Sequence, residues 1–341
     1  MNTVARALWN PIVAKEYRAR MRTWRSPAAI TVYVVLLGGI GWAVFSAIAN
    51  NAFGGLQNYG QTLFTFLILF QVALLAFITP ALTAGAISGE RERQTIDLLF
   101  VTPLPAFSII WGKLLASMSF VVLLLILSVP IFSLVFLFGG IELDQVVQAF
   151  TVTGVTALTL GLVGIAFSSF FRRSLLSTVA AYGGAFVLMA GTLLYGLLLP
   201  TEWDVKSTKA PAPPAVALLS PVLPLFTIAT GQPIPTYGVR TPTGPYLAAS
   251  SGGGGCYTAP DGTTSCYSNG VAQPSPIYPG QVFSQATGTR LPSGIFEGWE
   301  YWEANVVMQL SICLVALVFS ALVLPPVRRF RLRLRRAPAT A

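Results

Sequence analysis

Histidine is absent from all 341 residues. That removes the commonest general base, the commonest metal ligand and every Ser-His-Asp arrangement. Charge is scarce as well: 10% of the chain is Asp, Glu, Lys or Arg, against about 25% in an ordinary soluble domain. None of the twelve acids lies well inside a long apolar window, so neither an intramembrane carboxylate pair nor a charged ion pathway has its residues, and the chain is expected to bury no charge in a membrane. The phosphate-cradling G-x-x-x-x-G-K-[ST] loop is missing too. The Gly112-Lys113 pair runs straight into Leu114, so ATP is not bound by that route. No short apolar core followed by an A-x-A site precedes the first long apolar stretch, which therefore reads as a retained anchor rather than a cleaved signal.

What remains is apolar: 54% of the residues are hydrophobic and the mean hydropathy is +0.69. A bilayer core about 30 Å thick takes roughly 20 apolar residues per helix. Windows free of Asp, Glu, Lys and Arg run from Ala28 to Ala49, Gln61 to Ser88, Leu114 to Gly139, Val146 to Phe170, Leu175 to Leu199 and Ala304 to Leu324. They predict an all-α integral membrane protein with six transmembrane helices. A shorter stretch within 213–230 is broken by Pro221 and Pro224 and reads as a re-entrant or interfacial segment. The domain plan is a cytoplasmic amphipathic helix over 1–27, spans one to five over 28–200 with a loop at 88–113, an extracytoplasmic loop over 201–303, the last span over 304–325 and a basic cytoplasmic tail over 326–341.

Charge sets the orientation, because short cytoplasmic loops collect Lys and Arg. One side of the six-span plan holds 17 of the 21 basic residues and four acids; the other holds four basic residues and eight acids. Both termini are expected to be cytoplasmic. The positive charge is accounted for by topology and anionic headgroups, without nucleic acid.

Around the spans, Asn10 to Arg25 places Val13, Tyr17, Met21 and Trp24 on one helical face and Lys15, Arg18, Arg22 and Arg25 on the other, with Arg20 out of place. An interfacial amphipathic helix fits this period; a disordered basic arm is the plainer alternative. In the outer loop Cys256 and Cys266 are expected to form a disulfide, with two free thiols as the alternative. Phe296, Trp299, Tyr301 and Trp302 read as an interfacial aromatic belt or, equally from sequence, a substrate gate. Gly154, Gly161, Gly164, Gly183 and Gly184 are expected to let helices approach closely, and Pro130 to kink the third span. Thr151, Thr153, Thr156 and Thr159 either line a pathway or hydrogen-bond between helices.

The informative motif lies between the second and third spans: Ser88-Gly89-Glu90-Arg91-Glu92-Arg93-Gln94-Thr95-Ile96-Asp97-Leu98-Leu99-Phe100-Val101-Thr102-Pro103-Leu104, then Gly112-Lys113. An acidic start, Ile96, Leu98 and Leu99 on an apolar side and a Thr-Pro stop describe a short helix that can dock in a groove; an ordinary charged loop is the alternative. This stretch resembles the signature loop of permeases of the type-2 ATP-binding-cassette (ABC-2) family, in which E-R-E-x-G-T-hydrophobic-E precedes L-L-x-T-P-L and a Gly-Lys pair. Glu90, Arg91, Glu92, Thr95, Asp97, Leu98, Leu99, Thr102, Pro103, Leu104, Gly112 and Lys113 carry the match, Arg93 lies within it, Gln94 stands where Gly is usual, Asp97 replaces Glu, and one extra residue separates Leu99 from Thr102. The opening Asn10-Pro11-Ile12-Val13-Ala14-Lys15-Glu16-Tyr17-Arg18 is similar to the family's N-P-h-h-x-K-E-h-R.

The resemblance implies a permease subunit in a prokaryotic plasma membrane, paired with a second permease subunit, identical or related. Energy would come from cytoplasmic ABC ATPase subunits that bind ATP and Mg, no cofactor being held by this chain. Glu90 to Leu104 would be the coupling helix, with Lys15, Glu16 and Arg18 resting near the ATPase. Export of an amphipathic or apolar molecule is the favoured function; a non-transporting scaffold subunit is the alternative. An intramembrane enzyme is disfavoured by the missing histidine.

Overall fold

A computed structural model describes residues 24–50, 59–92, 94, 106–198, 201–202, 215–231, 239–240, 256–258, 264–268, 271–273, 291 and 295–323. In chain order the helices are α1 (Arg25–Ala49), α2 (Tyr59–Thr83), α3 (Ser88–Glu92), α4 (Ala106–Ser133), α5 (Leu143–Phe170), α6 (Ser174–Phe186), α7 (Thr192–Leu198), α8 (Val222–Thr230) and α9 (Tyr301–Val323). A 3-10 turn, Leu134–Phe138, extends α4, and a π-helical turn, Val187–Gly191, joins α6 to α7. Among the described residues, six helical segments are long and apolar enough to cross a membrane: α1, α2 with its continuation through α3, α4 with its 3-10 extension, α5, α6 into α7, and α9.

Each segment begins before its sequence window, and at α1, α4, α5 and α9 the reason is that a window stops at a charge whereas a helix does not. The third window starts after Lys113, yet α4 starts at Ala106. Glu142 precedes α5 as its N-cap, and its N–H donates to Gln145 Oε1 at 3.1 Å. Pro130 lies inside α4, which passes into the 3-10 turn four residues later.

The chain divides into two compact units, Met1–Leu188 with Val306–Ala341, and Met189–Asn305. In the first, α5 is central and packs most extensively on α2 and α6. Lipid tails are as apolar as leucine, so close van der Waals fit rather than water exclusion holds such helices together. Glycines supply that fit at three of the expected points. A Cβ at Gly164 would collide with Thr83 Oγ1, one at Gly161 would lie 2.6 Å from Met118 Cε, and one at Gly184 2.9 Å from Phe167 Cε2. The other two expectations fail: positions 154 and 183 have no neighbour within 4 Å of an added Cβ.

In the second unit, α8 forms the second half of the segment expected to be re-entrant. Pro221 is its N-cap and Pro224 lies in its first turn, where a missing N–H costs no hydrogen bond. The start of α9 is tied to the 3-10 turn Ala217–Leu219: Tyr301 Oη donates to Ala217 O at 3.2 Å, and Asn305 Nδ2 donates to Leu218 O at 2.6 Å and Ser220 O at 3.0 Å. The helical class is as expected, with a departure confined to short strands. These are β1 (Thr201–Glu202) parallel to β2 (Val239–Arg240), and an antiparallel ladder of β3 (Cys256–Thr258), β4 (Thr264–Ser268) and β5 (Val271–Gln273). In that ladder Cys256 stands directly opposite Cys266.

Candidate functional site at the basic end of the bundle

The end of the first unit that carries Arg91, Lys113, Arg172 and Arg173 is where the predicted motif lies. After α2, residues 84–87 form a turn and α3 follows. The amides at the start of a short helix have no intrahelical partner, and a neighbouring helix serves them: Ile87 N–H and Ser88 N–H donate to Ser168 Oγ of α5 at 2.9 and 3.0 Å.

Two carboxylates of α3 then reach in different directions. Glu90 Oε1 accepts from Lys113 Nζ of α4 at 2.7 Å. Lys113 is only 4% exposed, so a charge is buried in α4 after all. It lies seven residues into the helix, at the basic end, and a charge in that setting needs its partner. Glu92 accepts twice from the first residue of α6, from Ser174 N–H at 2.8 Å and from Ser174 Oγ at 2.6 Å. These bonds, the side-chain one first, together with the Arg173 charge, hold its carboxyl below the ordinary glutamate range. One turn further along α6, Ser177 Oγ donates to Ala84 O at 2.6 Å. Segment 84–92 is thus clasped by α4, α5 and α6.

Of the predicted residues, the structure brings Glu90 to Lys113 and Glu92 to α6, and leaves Arg91 half-buried in α3. Arg93, Thr95, Asp97, Leu98, Thr102, Pro103, Leu104, Lys15, Glu16 and Arg18 lie outside the described residues. Sequence reasoning missed Ser168, Ser174 and Ser177. Their signal was available: hydroxyls on both sides of the Arg172-Arg173 break between two apolar windows.

Deeper in the unit the described buried polar groups are uncharged. Thr151, Thr153, Thr156 and Thr159 each donate to the carbonyl four residues back in α5, at 2.8–2.9 Å. Only Thr159 also reaches another helix, meeting Gln309 Oε1 at 3.4 Å and Cys313 Sγ at 3.2 Å on α9. Gln71 Nε2 donates to Ser128 Oγ at 3.1 Å, beside the buried Tyr33. At the opposite end of the spans an apolar pocket of about 230 Å³ is lined by Phe45, Ile48, Ala49, Tyr59, Leu63 and Phe138.

A family model described as ABC-2 family transporter protein matches residues 15–238, well over half of the sequence. The chain belongs to the ABC-2 transporter family. No curated protein matches it. The matched stretch of this ABC-2 protein takes in its first five membrane-crossing segments, α3 and every member of the clasp. The ABC-2 protein is accordingly a membrane transport component, with its polar connections concentrated at one end of the bundle.

Proposed function

We propose that this ABC-2 protein is the permease subunit of an ATP-driven exporter, working with a second permease subunit and energised by a separate ABC ATPase that binds ATP and Mg. The ATPase docks at the basic end, on the segment that begins with α3 and runs to Leu104. The observation that carries this reading is the clasp: α3, the first element of the family's signature loop, is fastened to three spans at once, as a docking element that must pass on force requires. An amphipathic or apolar substrate fits spans whose described interior holds no acidic side chain and whose buried Lys113 is already paired with Glu90, since a charged solute would gain little counter-charge there. Both termini lie in the cytoplasm of a prokaryotic cell in this reading, and segment 201–303 faces outward, where Cys256 and Cys266 form a disulfide. Their direct cross-strand pairing supports that bond, because opposed Cα atoms in an antiparallel ladder lie about 4.5–5.5 Å apart, inside the disulfide range.

The test is recovery of the tagged chain in mild detergent, followed by an ATPase assay with and without Leu98→Asp. Leu98 is the cleaner docking variant, because the carboxylate of Glu92 is already engaged within the chain. A co-purifying ATPase whose recovery falls severalfold in Leu98→Asp is the expected result. Co-purification without ATP turnover would favour a scaffold, and no nucleotide-binding partner at all would sink the permease reading.

A further inference from the structure

Helix α6 starts without a cap of its own. Its N-cap residue is Arg173, whose side chain offers no acceptor, and no acid occupies its first turn. An N-terminus of this kind prefers Ser, Thr, Asp or Asn at the cap and negative charge nearby. Glu92, 82 residues earlier in sequence, supplies both from α3. The same turn is anchored a second time, since Ser177, three residues on, bonds to Ala84 at the end of α2. One turn of α6 is therefore strung between two points. Ser177 is fixed to Ala84, whose N–H donates to Pro80 O in the last turn of α2, and Ser174 is fixed to α3, which has its own ties to Lys113 and Ser168.

We infer that Glu92 is the joint through which displacement of α3 reaches α6: when α3 shifts against α2, Ser174 follows Glu92 while Ser177 stays, and the first turn of α6 winds or unwinds. The role takes its transport meaning from the permease reading above, but the joint is a property of this chain alone. Arg173 at the cap position is what makes the link obligatory, because a self-capped α6 would keep its first turn whatever α3 did. Glu92 is a positioning residue here; it touches no substrate.

Amide hydrogen exchange of the full chain in lipid nanodiscs tests this. Glu92→Ala should speed exchange of the first-turn amides of α6 about fivefold, the loss of one cap, and leave residues beyond Thr178 unchanged. Adding Arg173→Asp gives the helix a cap of its own and should restore protection. The deciding step loosens α3 from elsewhere, by Lys113→Met or, if that variant does not fold, by Ser168→Ala. In the wild-type background this should also speed first-turn exchange about fivefold, whereas in the Glu92→Ala/Arg173→Asp background it should change nothing. An effect in both backgrounds would mean that the path bypasses Glu92, and an effect in neither would mean that α3 and α6 are not linked; either overturns the inference. Failure of the permease reading would appear instead as a missing ATPase in the pull-down, with the exchange pattern intact.

Discussion

Gln94 has φ of 56°, a left-handed backbone in which a Cβ crowds the following carbonyl. This is the position where the family resemblance has Gly, and the conformation explains why. Gln94→Gly should stabilise the chain by about 0.5–1 kcal/mol, read as a higher Tm in detergent; a lower Tm would mean that the glutamine side chain contributes more than its backbone costs. Glu92 makes a second residue-level prediction. Its folded-state pKa is depressed, so the stabilisation from its cap is fully present above the ordinary value of 4.5 and is lost as pH falls through the lower folded value. The side-chain carboxyl should titrate below 4.5 by carbon NMR in the folded chain, and Ser174→Ala should move the midpoint upward; an ordinary midpoint in the wild type would rule out the cap. The motif made Glu90 and Glu92 legible as candidates. Their partners were not, because Lys113 lies 23 residues away and Ser174 82, and no local pattern announces a cap supplied by another helix.

The helices themselves were the most legible layer, since hydrocarbon forces every backbone polar group to be satisfied within a segment. Windows without charge found the six membrane-crossing segments of the described residues, and missed the first residues of each and the last four of the second. Which face of a helix meets its neighbour is less readable, as the glycines of α5 demonstrate. Gly161 and Gly164 touch other helices while Gly154 faces open space, although all three share one composition signal. Gly164→Leu should therefore cost about 1–3 kcal/mol by overpacking against Thr83, and Gly154→Ala should be neutral or mildly stabilising through helix propensity. Thermal unfolding of the two variants side by side checks the assignment, and equal effects would contradict this packing of α2 on α5. The threonines teach the same lesson: hydroxyls that looked poised to bridge helices mostly serve their own, because a carbonyl four residues back is always within reach.

At the scale of the whole molecule, two compact units divide the chain, and the one spanning Met189–Asn305 was the harder to read. Its Gly, Pro, Ser and Thr content signals loop, yet short strands pair within it, and strands of two to five residues leave almost no periodicity to detect. The opposed cysteines make a prediction here. Cys256→Ser, or reduction of the wild type, should speed proteolysis within 201–303 severalfold while the spans stay intact, and an unchanged digestion pattern in both would argue for free thiols. The clasp of the other unit has a consequence for biosynthesis. Its contacts close in the order in which the ribosome delivers them: Glu90 meets Lys113 once the next hairpin arm has emerged, Ser168 arrives with α5, and Ser174 and Ser177 come last with α6. A nascent chain that has inserted four of its membrane-crossing segments still carries an uncommitted carboxylate at Glu92, and only arrival of the fifth commits it, so the clasp records within the chain itself how far insertion has progressed.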